Sequence, residues 1–416
     1  MEITLHARTL QGVVIPPCSK SYAQRALAAA LLANGSSTLH NIAFCDDTRS
    51  AIRCIEVLGA CVERPGEKSL RIKGGLNPTS DRLPVGESGL ATRLFTPIAA
   101  LCNTPITIEG EGTLLMRPMT MMFEPLKALR VELRDGGGFL PIQVRGPMQG
   151  GKVEVDGGIS SQFITGLLIA LASRPEEMTL HVKNPVSLPY IDMTVEVIRR
   201  FGREIDHNDD YTEFYIPAGE GYRATDFEIE GDWSSAATWL VGGALAGEVR
   251  IENLSTLSHQ ADTAICRALE RAGAAITCEQ GAITVSRRPL KAFQFDATHS
   301  PDLFPVLAAL AASCEGYSEI RGTSRLEHKE SNRAEVIQEE FSKLGIAVDL
   351  STPDLMRIRG GKISGGVCSA HGDHRIAMAL ALMALRSEEP ITIQGAECVA
   401  KSYPAFFDDL NTLSRP

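Results

Sequence analysis

The sequence predicts an α/β protein with two similar domains, each of three βαβαββ units with buried apolar helices. First, a unit of about 70 residues recurs six times along the chain. Second, each unit opens with a small-residue apolar run of helical length, followed by a short alternating strand. Third, helices that are apolar on nearly every side must be buried, so three of them enclosed by sheets make one domain and six make two.

The apolar runs are the lead helices of the six repeats. They begin at Ser21, Ser88, Ser161, Ser234, Ser300 and Gly372. Serine is a preferred N-cap residue because its hydroxyl accepts a hydrogen bond from a free backbone N–H of the first turn. We therefore expect Ser234 and Ser300 to be structural helix caps.

A short strand, a loop, an amphipathic helix and two further strands follow each lead helix. The amphipathic helices usually end at a glycine, which is typical of a helix C-cap. The sixth copy runs out at Leu413, so we expect the N-terminal segment 3–15 to supply its missing strands. Pro217 and the glycines before Phe227 suggest a hinge between the domains. A single elongated solenoid fits the same periodicity nearly as well.

Composition limits the classes of function. The chain has 416 residues, 44% of them hydrophobic, and a net charge of −10. No apolar run reaches the roughly 18 residues of a membrane span, and the N-terminus lacks a signal peptide's hydrophobic region, so we expect a globular cytosolic protein. The ten cysteines include no C-x-x-C pair, which argues against a disulfide framework or a zinc site. Basic residues form no runs, which argues against nucleic acid as a partner.

The segment Pro16–Arg25 (P-P-C-S-K-S-Y-A-Q-R) has the character of an anion-binding turn. It places Lys20, Ser21 and Arg25 at the start of an apolar helix, where free N–H groups and the helix dipole favour negative charge. The alternative is an ordinary N-cap with both cations solvated. Cations recur on corresponding loops of several repeats, and this favours an anion-binding site over an ordinary N-cap. These cations are Lys20, Arg25, Arg117, Lys329, Arg333, Arg375 and Lys401.

Other polar residues in these loops have simpler interpretations. His371 and His374 lack a third soft ligand, so a metal site is not expected there. The aspartates near helix starts are expected to brace those helices or orient a neighbouring arginine rather than to react. These aspartates are Asp46, Asp47, Asp262 and Asp373.

Nine motifs, in order along the whole chain, resemble those of the EPSP (5-enolpyruvylshikimate-3-phosphate) synthase family. Each motif is weak alone, but nine in family order are specific. They are S-K-S-x-x-x-R (Ser19–Arg25), G-x-x-x-R (Gly89–Arg93), R-P (Arg117–Pro118), S-S-Q-F (Ser160–Phe163), P-Y-I-D (Pro189–Asp192), E-G-D-x-S-S-A (Glu230–Ala236), K-E-x-x-R (Lys329–Arg333), D-H-R-x-A-M (Asp373–Met378) and A-K-S-Y-P (Ala400–Pro404).

The resemblance implies a fold, a reaction and a setting. The fold is that of enolpyruvyl transferases, with one domain of residues 16–228, another of residues 1–15 plus 229–416, and the active site in the cleft between them. In the reaction, phosphoenolpyruvate gives its enolpyruvyl group to the 5-hydroxyl of shikimate 3-phosphate and releases inorganic phosphate. The expected enzyme is a cytoplasmic monomer of aromatic amino-acid biosynthesis that uses no cofactor or metal and binds neither nucleic acid nor membrane.

The same resemblance assigns residues to roles. Asp302 is the implied base for the substrate hydroxyl, and Glu330 with Lys20 is implied in proton transfer at the methylene. The implied contacts of shikimate 3-phosphate are Lys20, Ser21, Arg25, Ser160, Ser161, Gln162, Ser187, Asp302 and Lys329. Those of phosphoenolpyruvate are Lys20, Gly89, Arg117, Gln162, Arg333, Arg375 and Lys401.

Departures from the family pattern and two rival functions remain to be considered. The departures are Cys18, Glu87, Leu90, Leu94 and Asn332, of which Asn332 leaves the support of Arg333 in question. One rival is the sister transferase that acts on a UDP-amino sugar, but that family has K-N at Lys20–Ser21 and lacks the D-H-R of Asp373–Arg375. The other is a non-catalytic repeat protein that binds anionic polymers, which the presence of Asp302, Glu330 and Lys401 disfavours.

Overall fold

The computed structural model describes residues 1–415, which form short strands alternating with helices. The strands in this part of the chain are β1 (Glu2–Leu5), β2 (Thr9–Val14), β3 (Ala33–Asn34), β4 (Ser36–His40), β5 (Cys61–Gly66), β6 (Ser69–Lys73), β7 (Arg82–Gly86), β8 (Ile106–Gly110), β9 (Glu132–Asp135), β10 (Ile142–Arg145), β11 (Lys152–Asp156), β12 (Met178–Lys183), β13 (Asp206–His207), β14 (Glu213–Ile216), β15 (Tyr222–Arg223), β16 (Asp226–Glu228), β17 (Gly247–Glu252), β18 (Ala275–Glu279), β19 (Ala282–Ser286), β20 (Gln294–Asp296), β21 (Tyr317–Arg321), β22 (Ala347–Asp349), β23 (Leu355–Arg359), β24 (Gly366–Ser369), β25 (Ile391–Gln394) and β26 (Ser414–Arg415).

The helices of the described residues are α1 (Lys20–Leu32), α2 (Asp46–Val57), α3 (Gly89–Ala99), α4 (Phe123–Ala128), α5 (Ser161–Ala172), α6 (Leu188–Arg200), α7 (Trp233–Ala246), α8 (Ile265–Ala272), α9 (Phe304–Ala312), α10 (Arg333–Lys343), α11 (His374–Ala384) and α12 (Phe406–Leu413). Short 3₁₀ segments span Gly112–Met116, Thr120–Met122, Ala261–Ala264, Pro301–Leu303, Thr323–Arg325 and Ala396–Lys401.

The chain divides into two compact units. One, called here the continuous unit, is Cys18–Ile229; the other, the composite unit, is Met1–Pro17 together with Glu230–Pro416. Each has its own hydrophobic core of buried residues. The two units are therefore described separately.

Each unit contains three sheets of three or more strands, and the continuous unit also has the two-stranded parallel sheet β15-β3. In four of the six larger sheets the strand before the lead helix pairs in parallel with the strand after it, as in β7-β8, β11-β12, β20-β21 and β24-β25. In the other two sheets the parallel pairs are β16-β4 and β2-β17, and the remaining strands of all six pair antiparallel. The sheets of the continuous unit are β16-β4-β6-β5, β7-β8-β10-β9 and β11-β12-β14-β13; those of the composite unit are β26-β2-β17-β19-β18, β20-β21-β23-β22 and β24-β25-β1.

The N-terminal strands complete two different sheets. β1 pairs antiparallel with β25, from Glu2 opposite Gln394 to Leu5 opposite Ile391, so it supplies a strand missing from the sixth repeat. β2, which precedes α1 in the chain, instead pairs in parallel with β17, the strand that follows the fourth lead helix α7. The expectation that the whole segment 3–15 serves the sixth repeat is wrong for β2, because the fourth sheet needs a parallel partner for β17.

The lead helices form the centre of each core. Helices α1, α3 and α5 contact one another in the continuous unit, and α7, α9 and α11 do so in the composite unit. In the composite unit, Leu245, Ser313 and Arg386 at the C-terminal ends of these helices line one cavity of about 470 Å³. Since the three C-terminal ends lie together, the helices run in the same general direction, and their N-terminal ends also lie together at the opposite end of the unit.

Candidate active site

The first lead helix begins with a capping serine and an ion pair. Ser19, not Ser21, is the N-cap, and its Oγ accepts a hydrogen bond from Tyr22 N (3.4 Å). The Lys20 ammonium lies 2.8 Å from Oδ2 of Asp47, a residue of the first turn of α2, and both side chains are mostly buried. Asp47 therefore fixes the position of a neighbouring cation, which is a lysine and not the arginine that the sequence analysis expects.

Arg25 is 1% exposed and donates only to uncharged oxygens. Its Nε donates to Thr194 Oγ1 (2.9 Å), and its terminal nitrogens donate to the hydroxyl of Thr165 (3.1 Å) and to the backbone oxygens of Ser21 (2.9 Å) and Tyr190 (3.0 Å). Burial lowers the pKa of Arg25 to about 10. Among residues 1–415, no carboxylate forms an ion pair with this guanidinium, so its charge is uncompensated and suited to a phosphate or carboxylate.

Two further arginines converge at Gly89, the first residue of α3. A Cβ atom at Gly89 would lie 2.9 Å from Arg117 Nη1 and 3.0 Å from Arg93 Nη1, closer than a side chain allows. Arg93 Nη1 donates to Gln162 Oε1 (2.8 Å), which joins the start of α5 to this group. Both arginines are almost completely buried. Glycine thus lets these guanidinium groups lie directly against the helix backbone, and a methyl group here would require them to shift.

The remaining predicted contacts of the continuous unit lie at the starts of α5 and α6. Ser160 caps α5 by accepting a hydrogen bond from Gln162 N (3.2 Å), and Ser161 is the first residue of that helix. Ser187 precedes α6, is buried, and has a left-handed backbone (φ 55°) without capping through its side chain. A non-glycine residue in this conformation is uncommon and is often found at a functional site.

In the composite unit, a buried arginine holds three carboxylates together. Arg333 is 0% exposed; its Nε donates to Asp373 Oδ2 (2.8 Å), its Nη1 to Asp302 Oδ1 (2.7 Å) and its Nη2 to Glu330 Oε2 (2.6 Å). Although burial lowers the pKa of Arg333, the three carboxylates raise it well above its usual value. Asn332 is the N-cap of α10 and makes no capping hydrogen bond, so the support of Arg333 comes from these acids.

Asp302 is the meeting point of three cations. Besides Arg333, Lys329 Nζ lies 3.3 Å from Oδ1 and Arg375 Nη2 lies 3.2 Å from Oδ2. Burial by itself raises the pKa of Asp302, but Arg375, Lys329 and Arg333 outweigh it and hold that pKa well below its usual value. Asp302 is therefore ionised at neutral pH.

The last predicted cation lies beside the start of α11. Lys401 Nζ donates to the backbone oxygen of Gly372 (2.8 Å), and Asp373 caps the helix by accepting from Arg375 N (3.0 Å). All six predicted site residues of the composite unit therefore lie on the loops and helix starts around Asp302 and Asp373.

A group of metal-type ligands nearby already holds an ammonium. Glu339, Glu340 and His371 lie close together, but Lys343 Nζ donates to both glutamates (3.0 and 2.8 Å). His371 Nε2 lies 2.6 Å from Glu340 Oε1. His374, considered with His371 as a ligand pair, does not belong to this group and is buried beside Asp373.

Ser234 and Ser300 are not the caps that the sequence predicts. Asp232 caps α7 by accepting from Ser235 N (2.7 Å), while the Ser234 hydroxyl contacts Asp262 and accepts from Arg375 Nη2 (3.1 Å). Ser300 lies at the cap position before Pro301, but its side chain makes no capping hydrogen bond. Asp232 stands at the N-cap position of α7, whereas Ser234 is the second residue of that helix and therefore cannot cap it.

Sequence reasoning also missed several supporting residues. Arg93 stands in a quoted motif but was not assigned to the site, although it bonds Gln162. Thr165 and Thr194 hold Arg25 from helices α5 and α6, and nothing in the sequence signals this. Only the G-x-x-x-R spacing, which places Gly89 and Arg93 on one helix face, could have identified Arg93.

Comparison with known proteins identifies the family. The family model described as EPSP synthase (3-phosphoshikimate 1-carboxyvinyltransferase) matches residues 6–410. A 3-phosphoshikimate 1-carboxyvinyltransferase of Clostridium kluyveri is 36% identical over 99% of this chain and 97% of its own length. One of Thermococcus kodakarensis is 37% identical over 97% of this chain and 98% of its own length.

Solved structures agree with this family and confirm the predicted fold class. EPSP synthase of Acinetobacter baumannii superposes with a TM-score of 0.83 at 26% identity, covering 99% of this chain and 98% of that one. The enolpyruvyl transferase NikO of Streptomyces tendae, at 18% identity and a TM-score of 0.78 over 99% of each chain, shares the fold. Within residues 1–415, each helix is too short or too polar to cross a membrane.

The family match extends over nearly the whole chain, and both units carry the cationic side chains that the resemblance assigns to substrate binding. The chain belongs to the EPSP synthase family, whose reaction transfers the enolpyruvyl group of phosphoenolpyruvate to shikimate 3-phosphate in the shikimate pathway.

Proposed function

We propose that the predicted site residues of both units together bind phosphoenolpyruvate and shikimate 3-phosphate and join them by addition and elimination. The product is 5-enolpyruvylshikimate 3-phosphate, and inorganic phosphate leaves. The observation that carries this assignment of roles is the convergence of Lys329, Arg333 and Arg375 on one carboxylate, Asp302.

The charge of the substrates supports this division of the site. Together they carry two carboxylates and two phosphates, about five to six negative charges near neutrality. Neither unit alone carries all of the predicted cations: Lys20, Arg25 and Arg117 belong to one, and Arg375 and Lys401 to the other. We therefore assign contacts with the substrates to cations of both units.

Shikimate 3-phosphate occupies mainly the continuous unit. Arg25 faces its phosphate, because the guanidinium is buried without an anionic partner and gains a charge-assisted bond on binding. Lys20, Ser21, Ser160, Ser161, Gln162 and Ser187 complete this contact from the starts of α1, α5 and α6. Asp302 and Lys329 contact the same substrate from the composite unit.

Phosphoenolpyruvate is bound by cations from both units. Arg117 and Gln162 approach it beside Gly89, where the Arg117 and Arg93 guanidinium groups lie close to the start of α3. Arg333, Arg375 and Lys401 approach it from the composite unit, with Lys20 between the two substrates. The fixed positive charges stabilise the negative charge of the tetrahedral intermediate without a metal or cofactor.

Asp302 removes the proton of the substrate hydroxyl. In the described state three cations hold its pKa low, which makes it a weak base. When the substrate anions engage Lys329 and Arg375, those cations lower the pKa of Asp302 less, so its basicity rises as the complex forms. Glu330, held by Arg333, and Lys20 transfer the proton at the enolpyruvyl methylene.

The setting follows from the substrates. Both are small, water-soluble metabolites, so we place the enzyme in the cytoplasm as a monomer that binds neither nucleic acid nor membrane.

Phosphate release tests the proposal. The purified chain with phosphoenolpyruvate should release one phosphate per shikimate 3-phosphate consumed, and none with UDP-N-acetylglucosamine. Asp302→Asn should reduce kcat much more than it raises the KM for phosphoenolpyruvate, whereas Arg375→Ala should chiefly raise that KM. Release with the UDP-sugar alone would overturn the assignment, and equal losses of both parameters in both variants would contradict the proposed roles.

A further inference from the structure

Asp262 is linked to Arg375 by hydrogen bonds through the hydroxyl group of Ser234. It belongs to the 3₁₀ turn Ala261–Ala264 and is 2% exposed. The Ser234 hydroxyl bonds its Oδ2, and Ser234 Oγ accepts from Arg375 Nη2 (3.1 Å). The same Nη2 donates to Asp302 Oδ2 (3.2 Å), so its two hydrogens are directed to Ser234 and to Asp302.

Nothing in the packing of the turn requires a carboxylate at Asp262. Its Oδ1 has no hydrogen-bond partner among residues 1–415, although the atom is buried. Unpartnered buried oxygens are rare in folded proteins, because desolvation costs free energy that no bond returns. The presence of an aspartate at position 262 is therefore not explained by a contribution to folding stability.

The surroundings of Asp262 make its charge dependent on pH. The charged groups that face it are Arg375 of α11, Asp302 before α9 and Asp232 at the start of α7. Burial raises the pKa of Asp262 to about 6, Arg375 acts in the opposite direction, and the two aspartates add to the increase. Asp262 is thus ionised at neutral pH and becomes protonated on mild acidification.

We propose that Asp262 is a positioning residue for enolpyruvyl transfer, which through the Ser234 hydroxyl holds Arg375 in the orientation that binds phosphoenolpyruvate. An ionised carboxylate can only accept, so Ser234 must donate to it and keep its lone pairs toward Arg375. A protonated Asp262 donates instead, and the hydroxyl hydrogen of Ser234 is then free to compete with the N–H of Arg375. The inference rests on the proposed role of Arg375.

Asp262→Asn tests the charge with little change of shape. At pH 7.5 we expect about a 10-fold to 30-fold rise in the KM for phosphoenolpyruvate, with the KM for shikimate 3-phosphate nearly unchanged. The decisive quantity is the ratio of kcat/KM between the unaltered enzyme and the variant from pH 5 to 8. Protonation of the substrate phosphates affects both proteins equally and cancels in this ratio. The ratio should fall toward one near pH 5, where the side chain at position 262 is neutral in both proteins.

Ser234→Ala tests the route of the effect. If Asp262 acts through Ser234, the double variant Ser234→Ala with Asp262→Asn should be no worse than Ser234→Ala alone. Asp408→Asn removes an exposed carboxylate and is the matched control, with unchanged KM and unchanged pH profile. Thermal unfolding of each variant shows whether it is folded.

Three results would overturn the inference: a pH-independent ratio, additive effects of the two substitutions, or a lower unfolding temperature without any change in KM. Failure of the proposed function has a different signature. In that case the unaltered enzyme itself would not release phosphate from phosphoenolpyruvate and shikimate 3-phosphate.

Discussion

Arg25 and Arg333 are both almost fully buried, but their partners differ in charge. Arg25, in the continuous unit, donates to two threonine hydroxyls and two backbone oxygens. Arg333, in the composite unit, donates to three carboxylates. Burial lowers the pKa of Arg25 to about 10, whereas the carboxylates raise the pKa of Arg333 above its usual value.

The difference separates an arginine whose charge is left for a ligand from one that also holds the acids of the site in place. Arg25 is held in place by neutral groups, so its full charge remains for an incoming anion. Arg333 has its charge balanced by Asp302, Glu330 and Asp373, so its first effect is to keep these acids ionised and fixed. Substitutions should therefore affect binding in one case and the integrity of the site in the other.

Arg333→Met should have the largest effect. It leaves three buried or half-buried carboxylates without their shared partner, which costs about 3–5 kcal/mol of unfolding free energy. Activity should fall by about 10²–10³-fold or more, because the positions of the site acids are lost with it. Urea unfolding and phosphate release measure the two losses.

Arg357→Met is the control for Arg333→Met. Arg357 also pairs with a glutamate (2.8 Å to Glu319), but its side chain is 45% exposed, so the loss should stay below about 1 kcal/mol with full activity. Equal unfolding free energies of the two variants would mean that Arg333 does not organise the site.

Arg25→Met should change binding more than stability. Loss of the charge-assisted contact to phosphate should raise the KM for shikimate 3-phosphate by about 10–10²-fold. The unfolding free energy should fall less than in Arg333→Met, because the groups left behind are neutral. Steady-state kinetics with each substrate varied in turn check this, and an unchanged KM would remove Arg25 from the phosphate site.

Gly89→Ala should have a smaller and more selective effect. The added methyl group would meet Arg117 and Arg93 at 2.9 and 3.0 Å and force both guanidinium groups to shift. We expect about a 10-fold rise in the KM for phosphoenolpyruvate, with the KM for shikimate 3-phosphate almost unchanged. Gly136→Ala, where a Cβ would meet nothing within 4 Å, is the control; equal kinetics of both variants would contradict the packing argument.

The pH dependence of stability should show the smallest effect. The pKa of Asp302 is lowered in the folded chain, so its stabilising contribution is complete above the ordinary carboxyl pKa near 4 and is lost as the pH falls through the lowered value. Asp302→Asn should reduce this decrease of the unfolding free energy at acidic pH. Urea unfolding at pH 7, 4 and 3 measures it, and parallel curves for both proteins would contradict the ion pairing.

Periodicity made the fold predictable, but it could not assign strands that are distant in sequence. The apolar runs at Ser21 and Ser88 are indeed the buried helices α1 and α3, because length and composition alone require burial. β2 was assigned to the wrong sheet, since alternation within a strand does not specify its partner.

The candidate site was predictable as a set of residues, not as a set of contacts. Motif spacing identified Lys20 and Arg333, but their partners Asp47 and Asp373 lie 27 and 40 positions away. Ser234 shows the limit most clearly: serine near a helix start predicts a cap, yet Asp232 takes that role. Which acceptor wins depends on backbone geometry that spacing does not contain.

The pairing of β1 with β25 and of β2 with β17 bears on the order in which the protein folds as it is made. The ribosome releases residues 18–229 as an unbroken stretch, so the continuous unit can fold while synthesis continues. β1 and β2 emerge before their partners β25 and β17, which follow more than two hundred residues later. The composite unit is therefore completed after the continuous unit, although its synthesis begins earlier.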